Sequence, residues 1–272
     1  MLNRVIPSTG ENLPVIGLGT WKSFDVDQHK YNQLQNVLNA YQSQGATVID
    51  SSPMYGRSEK VIGDITSQMP SANDFFYATK VWTNGLEEGR KQMQDSINKM
   101  KRTKMDLIQI HNLVDWKTHL PELRRWKEEG KVRYIGITHY LDSGHDQLEK
   151  IISKEPIDFV QFNYSIQSRN AEKRLLAACI QHNVATLINR PFGEGSIFNR
   201  IQGKPLPEWA KEWDILSWSA YFLKYILIEM AVTCIIPATS NVQHAKDNLA
   251  AGVGKLPDKL DRKKMIDYFE SL

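Results

Sequence analysis

Residues 105–138 read MDLIQIHNLVDWKTHLPELRRWKEEGKVRYIGIT, and this stretch decides the fold class. Its two ends, Met105–His111 and Val132–Thr138, are short and nearly continuous apolar runs, which are typical of strands buried on both faces of a parallel sheet. Between them, Leu120–Glu129 alternates polar and apolar residues over the length of a helix and precedes Gly130, a residue type that commonly ends helices. The stretch therefore predicts a strand, a helix and a second strand in succession.

The same alternation recurs along the whole chain. Eight short apolar runs are predicted as strands: Ile16–Thr20, Thr47–Asp50, Phe75–Thr79, Met105–His111, Val132–Thr138, Phe159–Asn163, Ala185–Asn189 and Cys234–Pro237. Longer periodic runs are predicted as helices: Gln28–Gln44, Glu59–Ser67, Gly89–Met100, Leu120–Glu129, His145–Ser153, Ala171–His182, Lys211–Met230, Val242–Ala251 and Asp258–Glu270. Eight strand–helix pairs with short connections indicate an α/β protein of the (β/α)8 TIM barrel type. No linker divides residues 1–272, so a single domain is predicted.

Both ends of the chain extend this barrel. Arg4–Leu13 has turn-forming residues between apolar ends and predicts an N-terminal β-hairpin laid across one end of the barrel. Asp258–Glu270 comes after the eighth strand–helix pair and is predicted as one extra C-terminal helix. An open doubly wound sheet is the alternative, but no GxGxxG follows the first strand.

Composition and charge disfavour several classes of protein. Of the 272 residues, 41% are hydrophobic and 24% are charged, as in an ordinary folded protein. The 34 Lys and Arg against 31 Asp and Glu give a formal charge of +3, and no basic stripe suggests a nucleic-acid partner. The densest basic run, 262–264, is interpreted as a solvated helix face. No apolar run reaches the roughly eighteen residues of a membrane span, so no membrane association is expected.

Cysteine usage and the N-terminus suggest a compartment. Cys179 and Cys234 have neither a metal-ligand spacing nor a partner framework, so a reducing compartment is expected. The first residues lack the apolar segment of a signal peptide. We therefore expect a cytoplasmic protein, while an upstream leader that was trimmed stays an open alternative.

Four polar residues are predicted to meet at the mouth of the barrel, since active sites of this fold lie at the C-terminal ends of the strands. Asp50 ends the second strand, Lys80 follows the third, His111 ends the fourth, and Tyr55 lies in the loop after Asp50. Each alone has a structural explanation, such as a helix cap, a packing ring, a solvated amine or a buried histidine. Their convergence on one mouth favours chemistry.

These four groups suit carbonyl reduction. A phenol has a pKa of about 10, and a nearby ammonium lowers that pKa by favouring the phenolate. A carboxylate makes the ammonium tolerable in an apolar mouth, and an imidazole can orient the reacting oxygen. The set predicts a tuned proton donor, Tyr55, beside an oxygen that gains negative charge.

Four segments, 15–21, 48–56, 78–82 and 106–111, read VIGLGTW, VIDSSPMYG, ATKVW and DLIQIH. In order and spacing they resemble the aldo-keto reductase superfamily, and the resemblance covers nearly the whole chain. It implies NADPH-dependent reduction of aldehydes and ketones, with NADH as a possible cofactor and a small-molecule carbonyl substrate. It further implies Tyr55 as general acid, Lys80 and Asp50 as the pair that sets its pKa, and His111 as the orienting group, with no metal.

The resemblance also assigns a cofactor site. Its residues are Gly19, Thr20, Trp21, Asp50, Thr138, His139, Gln161, Asn189, Arg190, Pro191, Phe192, Gly193, Pro237, Ala238, Thr239, Ser240, His244 and Asn248. The sequence departs from the family pattern in three places. Thr138-His139 replaces the usual Ser-Asn, and Asn189 stands where many members place a ring that stacks on nicotinamide. Arg190 or Phe192 is then expected to cover the cofactor, or the stacking is weak.

The third departure concerns the adenosine 2′-phosphate. A helix N-terminus after the eighth strand offers free N–H groups for a phosphate. The family's usual Lys and Arg anchors, however, align with Ala238 and His244. Each lost charge-assisted bond costs about 1.5–3 kcal/mol. We therefore expect NADPH binding with a reduced preference over NADH.

Aromatic and apolar residues are predicted to form the substrate pocket. Trp21, Met54 and Trp82 border the expected mouth, and Phe24 and Trp116 are further candidates. The alternative for Trp116 is a ring that packs on its own helix. The loop after His111 is short and no long C-terminal loop is evident. We expect an open pocket with broad specificity and high Michaelis constants.

Two rival functions stay open at this point. One is a catalytically weak NADP(H)-binding module that senses redox state through a protein partner, although the sequence shows no evident partner and a monomer is expected. The other is a metal-dependent or proton-transfer lyase on the same barrel. The lyase would need more strand-end carboxylates than Asp50 alone.

Overall fold

The computed structural model describes all 272 residues, and eight parallel strands form the centre of the molecule. The eight barrel strands are β3 (Leu18–Gly19), β4 (Val48–Asp50), β5 (Phe76–Val81), β6 (Met105–Ile110), β7 (Val132–Thr138), β8 (Phe159–Asn163), β9 (Ala185–Asn189) and β10 (Cys234–Ile235), and two further strands, β1 (Asn3–Val5) and β2 (Asn12–Pro14), precede them. Strands β3 to β10 pair in sequence order. Bridges from Ile16 to Ile235 and from Gly19 to Ala238 join the first of them to the last. The predicted (β/α)8 barrel is confirmed.

Helices surround this barrel. They are α1 (Tyr31–Ser43), α2 (Ser58–Thr66), α3 (Leu86–Lys99), α4 (Trp116–Glu128), α5 (His145–Ile152), α6 (Leu175–Gln181), α7 (Ser196–Arg200), α8 (Trp218–Leu227), α9 (Val242–Ala250) and α10 (Lys259–Ser271). Their apolar faces and the outward side chains of the strands share one continuous hydrophobic core. None of the helices combines the length and the hydrophobicity that a bilayer crossing requires.

The predicted hairpin closes one end of the barrel. β1 and β2 pair antiparallel with Asn3 opposite Pro14. Ile6 and Leu13 are buried in a second apolar cluster that fills the barrel interior. The Tyr134 hydroxyl, at the start of β7, donates to Glu11 over 2.5 Å. The hairpin therefore covers the N-terminal ends of the strands and leaves the opposite mouth as the location of the site.

Two predicted helices are wrong in extent. The run predicted as Lys211–Met230 begins with a 3-10 helix, Glu208–Trp213, and is interrupted at Asp214, whose φ of 53° is left-handed. α8 starts afresh because Ser217 caps it, accepting from the Ala220 N–H over 3.1 Å. The run predicted as Ala171–His182 is also divided, into a 3-10 helix, Asn170–Lys173, and α6, with a break at Arg174, where φ is −151°. Periodicity continues across both breaks because each side packs on the same core.

Candidate active site

The centre of the mouth is a buried ion pair. Lys80, in β5, donates to Asp50 Oδ2 over 2.7 Å, and the two side chains are 0% and 3% exposed. Lys80 also donates to the Ser51 carbonyl over 2.7 Å. Burial lowers the pKa of Lys80, but the charge of Asp50 and the phenol of Tyr55 outweigh burial and raise it overall. The amine is therefore held as an ammonium.

Two amides satisfy the other oxygen of Asp50. Gln109 Nε2, from β6, lies 3.3 Å from Oδ1, and Gln161 Nε2, from β8, lies 3.1 Å from it. Gln161 was predicted to hold the cofactor, yet its amide donates to Asp50. Gln109 was not predicted. The sequence signal for Gln109 was a polar residue in an otherwise apolar strand. Gln109 lies two positions before His111, so the two side chains lie on the same face of the strand.

Tyr55 lies between the ion pair and the histidine. Its ring centroid is 5.1 Å from Lys80 Nζ and 5.8 Å from the His111 ring, which meets it edge-on at 82°. Burial raises the pKa of the Tyr55 hydroxyl, and the positive charge of Lys80 offsets only part of that rise. The expected net lowering of this pKa is therefore wrong, because desolvation outweighs the ammonium. The phenol is protonated at neutral pH, as a proton donor must be.

His111 directly follows β6 and is 5% exposed. Its Nδ1 lies 3.0 Å from Ser52 Oγ, and its Nε2 has no partner within the protein. Burial, together with the nearby charges of Lys80 and His139, lowers the pKa of His111 to about 2. The imidazole is therefore neutral, and it can orient a reacting oxygen by a hydrogen bond without carrying charge.

The rim of the mouth is aromatic but smaller than predicted. Trp21, Met54 and Trp82 are exposed, and the Trp82 ring centroid is 6.4 Å from that of His111. Phe24 is 0% exposed and belongs to the hydrophobic core, so its assignment to the substrate pocket is wrong. Trp116, the first residue of α4, packs partly buried against the same core. A place for Trp116 in the substrate pocket therefore stays a prediction.

Several predicted cofactor residues already have partners in the protein. The Thr20 hydroxyl is buried and donates to the Asp50 carbonyl over 3.0 Å. The Gly19 N–H donates to the Pro237 carbonyl over 3.1 Å. The Thr138 hydroxyl accepts from the Asn112 N–H over 3.2 Å. Because these groups form hydrogen bonds within the protein, fewer of their donors and acceptors are free to bind a cofactor.

A carboxamide nevertheless fits the mouth at two residues. Asn189, at the end of β9, has a buried Oδ1 without a hydrogen-bond partner, which an amide N–H could satisfy. His139 packs against Gly144, where an added Cβ would lie 2.2 Å from the ring. A glycine is thus what makes room for this imidazole. His139 Nδ1 lies 3.2 Å from Leu141 N and 3.3 Å from its carbonyl oxygen, so either tautomer satisfies the contact.

The two candidate covers for the nicotinamide, in the loop after β9, have partners within the protein. Arg190 donates to the Tyr140 carbonyl over 3.3 Å and pairs with Glu194. Phe192 packs on Phe198 with ring centroids 5.2 Å apart. Pro191 and Gly193 complete this loop, and Gly193 has a left-handed φ of 54°. Both candidate covers are thus held by the protein itself.

The phosphate end of the predicted site has few free donors. Asn241 caps α9 and accepts from the Gln243 N–H over 2.7 Å and from the His244 N–H over 3.2 Å, so the expectation of free N–H groups there is wrong for these two. Thr239 Oγ1 accepts from the Asn241 N–H over 3.0 Å. Ala238 and His244 are exposed, and neither adds a fixed cation.

Of the two remaining predicted residues, one has a backbone partner in the protein and the other is buried. The Ser240 carbonyl accepts from Gln33 Nε2 over 2.7 Å. Asn248 is 2% exposed and lies beside Tyr41 in the core. No set of three His, Cys, Asp or Glu side chains is arranged to hold a metal ion.

Comparison with known proteins identifies the family. The model of the Aldo/keto reductase family matches residues 15–263. The chain belongs to the aldo/keto reductase family. The reductase is 24% identical over 228 residues to the aldo-keto reductase YhdN of Bacillus subtilis, with 78% of this chain and 67% of that protein covered. It is also 24% identical over 238 residues to the NADH-specific methylglyoxal reductase of Escherichia coli, with 75% and 71% covered.

Solved structures share the fold of the reductase. An aldo-keto reductase from Klebsiella pneumoniae in complex with NADPH superposes with a TM-score of 0.83 at 20% identity, over 99% of this chain and 96% of the other. The thermostable aldo-keto reductase Tm1743, in complex with the inhibitor epalrestat, has a TM-score of 0.81 at 26% identity, over 99% and 100%. The resemblance inferred from the motifs is confirmed. The reductase is an oxidoreductase of a family that reduces carbonyl groups.

Proposed function

We propose that this reductase converts aldehydes and ketones to alcohols with Tyr55 as general acid. The observation that carries the proposal is the position of the Tyr55 phenol beside the buried Lys80–Asp50 pair, with the neutral His111 ring 5.8 Å away. A proton donor, a fixed positive charge and a neutral hydrogen-bonding group thus surround one space at the mouth. This is the set that a carbonyl oxygen gaining charge requires.

Each residue has a distinct role in this proposal. The nicotinamide cofactor, when bound, supplies the hydride to the carbonyl carbon. Tyr55 gives its proton to the carbonyl oxygen, so the C=O double bond becomes a C–O single bond and new C–H and O–H bonds form. Lys80 stabilises the phenolate that remains, and Asp50 keeps Lys80 charged. His111 donates a hydrogen bond that orients the substrate oxygen.

NADPH is the proposed cofactor, with NADH as a close second. His139 and Asn189 would hold the carboxamide, and the orphaned Asn189 acceptor supports that fit. Ala238 and His244 would border the 2′-phosphate without a fixed charge. Structural neighbours hold NADPH, while one relative is named an NADH-specific reductase. We therefore infer a weak preference between the two dinucleotides.

The substrate is proposed to be an apolar or planar carbonyl compound. Exposed Trp21, Met54 and Trp82 offer apolar walls around the catalytic groups. With Phe24 in the core and Trp116 packed partly buried against that core, few side chains enclose a bound molecule. We expect broad specificity with high Michaelis constants, and a single aldehyde used at micromolar concentration, far better than its analogues, would contradict this.

We also infer a reducing compartment and place the reductase in the cytoplasm. Both cysteines are free and buried. Neither thiol forms the disulfide that is typical of proteins in an oxidising compartment.

The decisive experiment is Tyr55→Phe. Turnover of an aldehyde panel should fall by roughly 10²–10⁴, while NADPH binding followed by fluorescence is retained. Tyr31→Phe is the matched control, because its hydroxyl donates to Asp64 over 3.2 Å, outside the site. Substantial turnover by Tyr55→Phe would contradict the mechanism. A wild-type protein that binds NADPH tightly but reduces no aldehyde would support the redox-sensing alternative.

A further inference from the structure

A buried hydroxyl contacts the orienting histidine. Ser52 lies in the loop between β4 and Tyr55 and is 0% exposed. Its Oγ is 3.0 Å from His111 Nδ1 and 3.4 Å from the backbone N of Met54. No other polar group forms a hydrogen bond with this hydroxyl. A serine hydroxyl has one hydrogen to donate and can accept two, so the two contacts constrain where its hydrogen points.

The contacts favour one direction. The Met54 N–H can only donate, so Ser52 Oγ accepts there. His111 Nδ1 is then the remaining acceptor for the Ser52 hydrogen. In the opposite arrangement, Nδ1–H would donate to Ser52 Oγ, and the buried Ser52 hydrogen would have no acceptor and no access to water. A buried donor without a partner is strongly disfavoured.

We propose that Ser52 is a positioning residue that keeps the His111 proton on Nε2. A neutral imidazole carries one N–H, and which nitrogen bears it is set by the partner of the other. With Nδ1 occupied as an acceptor, Nε2–H faces the mouth, where it has no protein partner. The substrate oxygen thus meets a donor and not a lone pair. This inference rests on the proposed function for its consequence, but the tautomer itself does not depend on turnover.

The direct test measures the tautomer. The protein is labelled with isotopic histidine, and long-range proton–nitrogen spectra distinguish Nε2–H from Nδ1–H, with His111 assigned by its loss in His111→Gln among the 7 histidines. We expect the Nε2–H pattern in the wild type, a mixed or reversed pattern in Ser52→Ala, and recovery in Ser52→Thr, which keeps the hydroxyl. An Nδ1–H pattern in the wild type, or an unchanged pattern in Ser52→Ala, would overturn the proposal.

Ser51→Ala is the matched control for this measurement. The Ser51 hydroxyl is buried next door and has no hydrogen-bond partner, so its removal should leave the His111 pattern unchanged. Should Ser52→Ala fail to fold, Ser52→Cys keeps the shape with a weaker donor and should shift the same pattern in the same direction. A change of the His111 pattern in Ser51→Ala equal to that in Ser52→Ala would count against a specific role for Ser52.

Kinetics provide the second readout. In Ser52→Ala, kcat and kcat/KM should fall together by about tenfold, because the hydrogen bond strengthens as charge develops on the oxygen. The dissociation constant of NADPH should not change. A rise in KM alone would contradict the role. If Tyr55→Phe retained turnover, the proposed general acid would fail while the spectra still decided the tautomer.

Discussion

The Lys80 ammonium donates to Asp50 Oδ2 over 2.7 Å, and neither side chain exposes more than 3% of its surface. Asp50 ends β4, and Lys80 lies in the neighbouring strand β5. Two amides, from Gln109 and Gln161, satisfy the second Asp50 oxygen. The buried ion pair that the proposed chemistry needs is therefore held by hydrogen bonds from two further strands, β6 and β8.

This enclosure predicts a strong dependence of stability on the pair. Lys80→Met should lower the free energy of unfolding by about 3–5 kcal/mol, because it leaves Asp50 buried without its counter-ion. The double variant Asp50→Asn with Lys80→Met removes both charges and should recover much of that loss. Urea unfolding of the two variants measures the difference. A Lys80→Met protein within about 1 kcal/mol of the wild type would show that Asp50 is solvated or protonated.

Cofactor preference should respond to charge at the phosphate end. Ala238→Lys and His244→Arg each restore a cation where the structure has none, so each should tighten NADPH binding by roughly tenfold. NADH affinity should hardly change, because NADH lacks the 2′-phosphate. Fluorescence titration with both dinucleotides tests this, with Gln243→Arg, next to His244 on α9, as a control for nonspecific charge. A wild-type preference for NADPH above about a thousandfold would contradict the weak anchor.

The pH dependence of stability should report His111. Its pKa is lowered from 6.5 to about 2 in the folded protein, so below 6.5 the unfolded chain takes up a proton that the folded chain refuses. This contribution to stability is therefore complete above pH 6.5 and is lost as pH falls. Between about pH 7 and pH 5 the loss is roughly 2 kcal/mol. His111→Gln should flatten the pH profile of unfolding by that amount, and an identical slope in both proteins would mean that His111 is protonated in the fold.

Phe24 in the core and Trp82 at the rim of the mouth should behave differently. Phe24→Ala should destabilise the protein by about 3–5 kcal/mol through a core cavity, with little effect on KM in the protein that remains folded. Because Trp82 is 42% exposed at the rim of the mouth, Trp82→Ala should change KM for aromatic aldehydes and leave stability nearly unchanged. Thermal unfolding and steady-state kinetics on both variants separate the roles. A KM effect of Phe24→Ala as large as that of Trp82→Ala would return Phe24 to the pocket.

Predictions from the sequence were most accurate for features that depend on a single strand, such as its position and the residue at its end. Apolar runs located the eight barrel strands, and the polar residues at their ends located Asp50, Lys80 and His111 at one mouth. They were less accurate where a short local break interrupts a periodic run. The helix predicted across Asp214 fails because a left-handed residue and the Ser217 cap interrupt a pattern whose apolar spacing continues.

By itself, the sequence determined the barrel and which functional groups face its mouth, because strand periodicity and strand ends are local properties of the chain. Only the tertiary structure decided how those groups act on one another. It directed Gln161 to Asp50, placed Phe24 in the core and raised the pKa of Tyr55 where a lower pKa was expected. Desolvation and hydrogen-bond direction depend on atoms far apart in the chain, and no periodicity in the sequence records them.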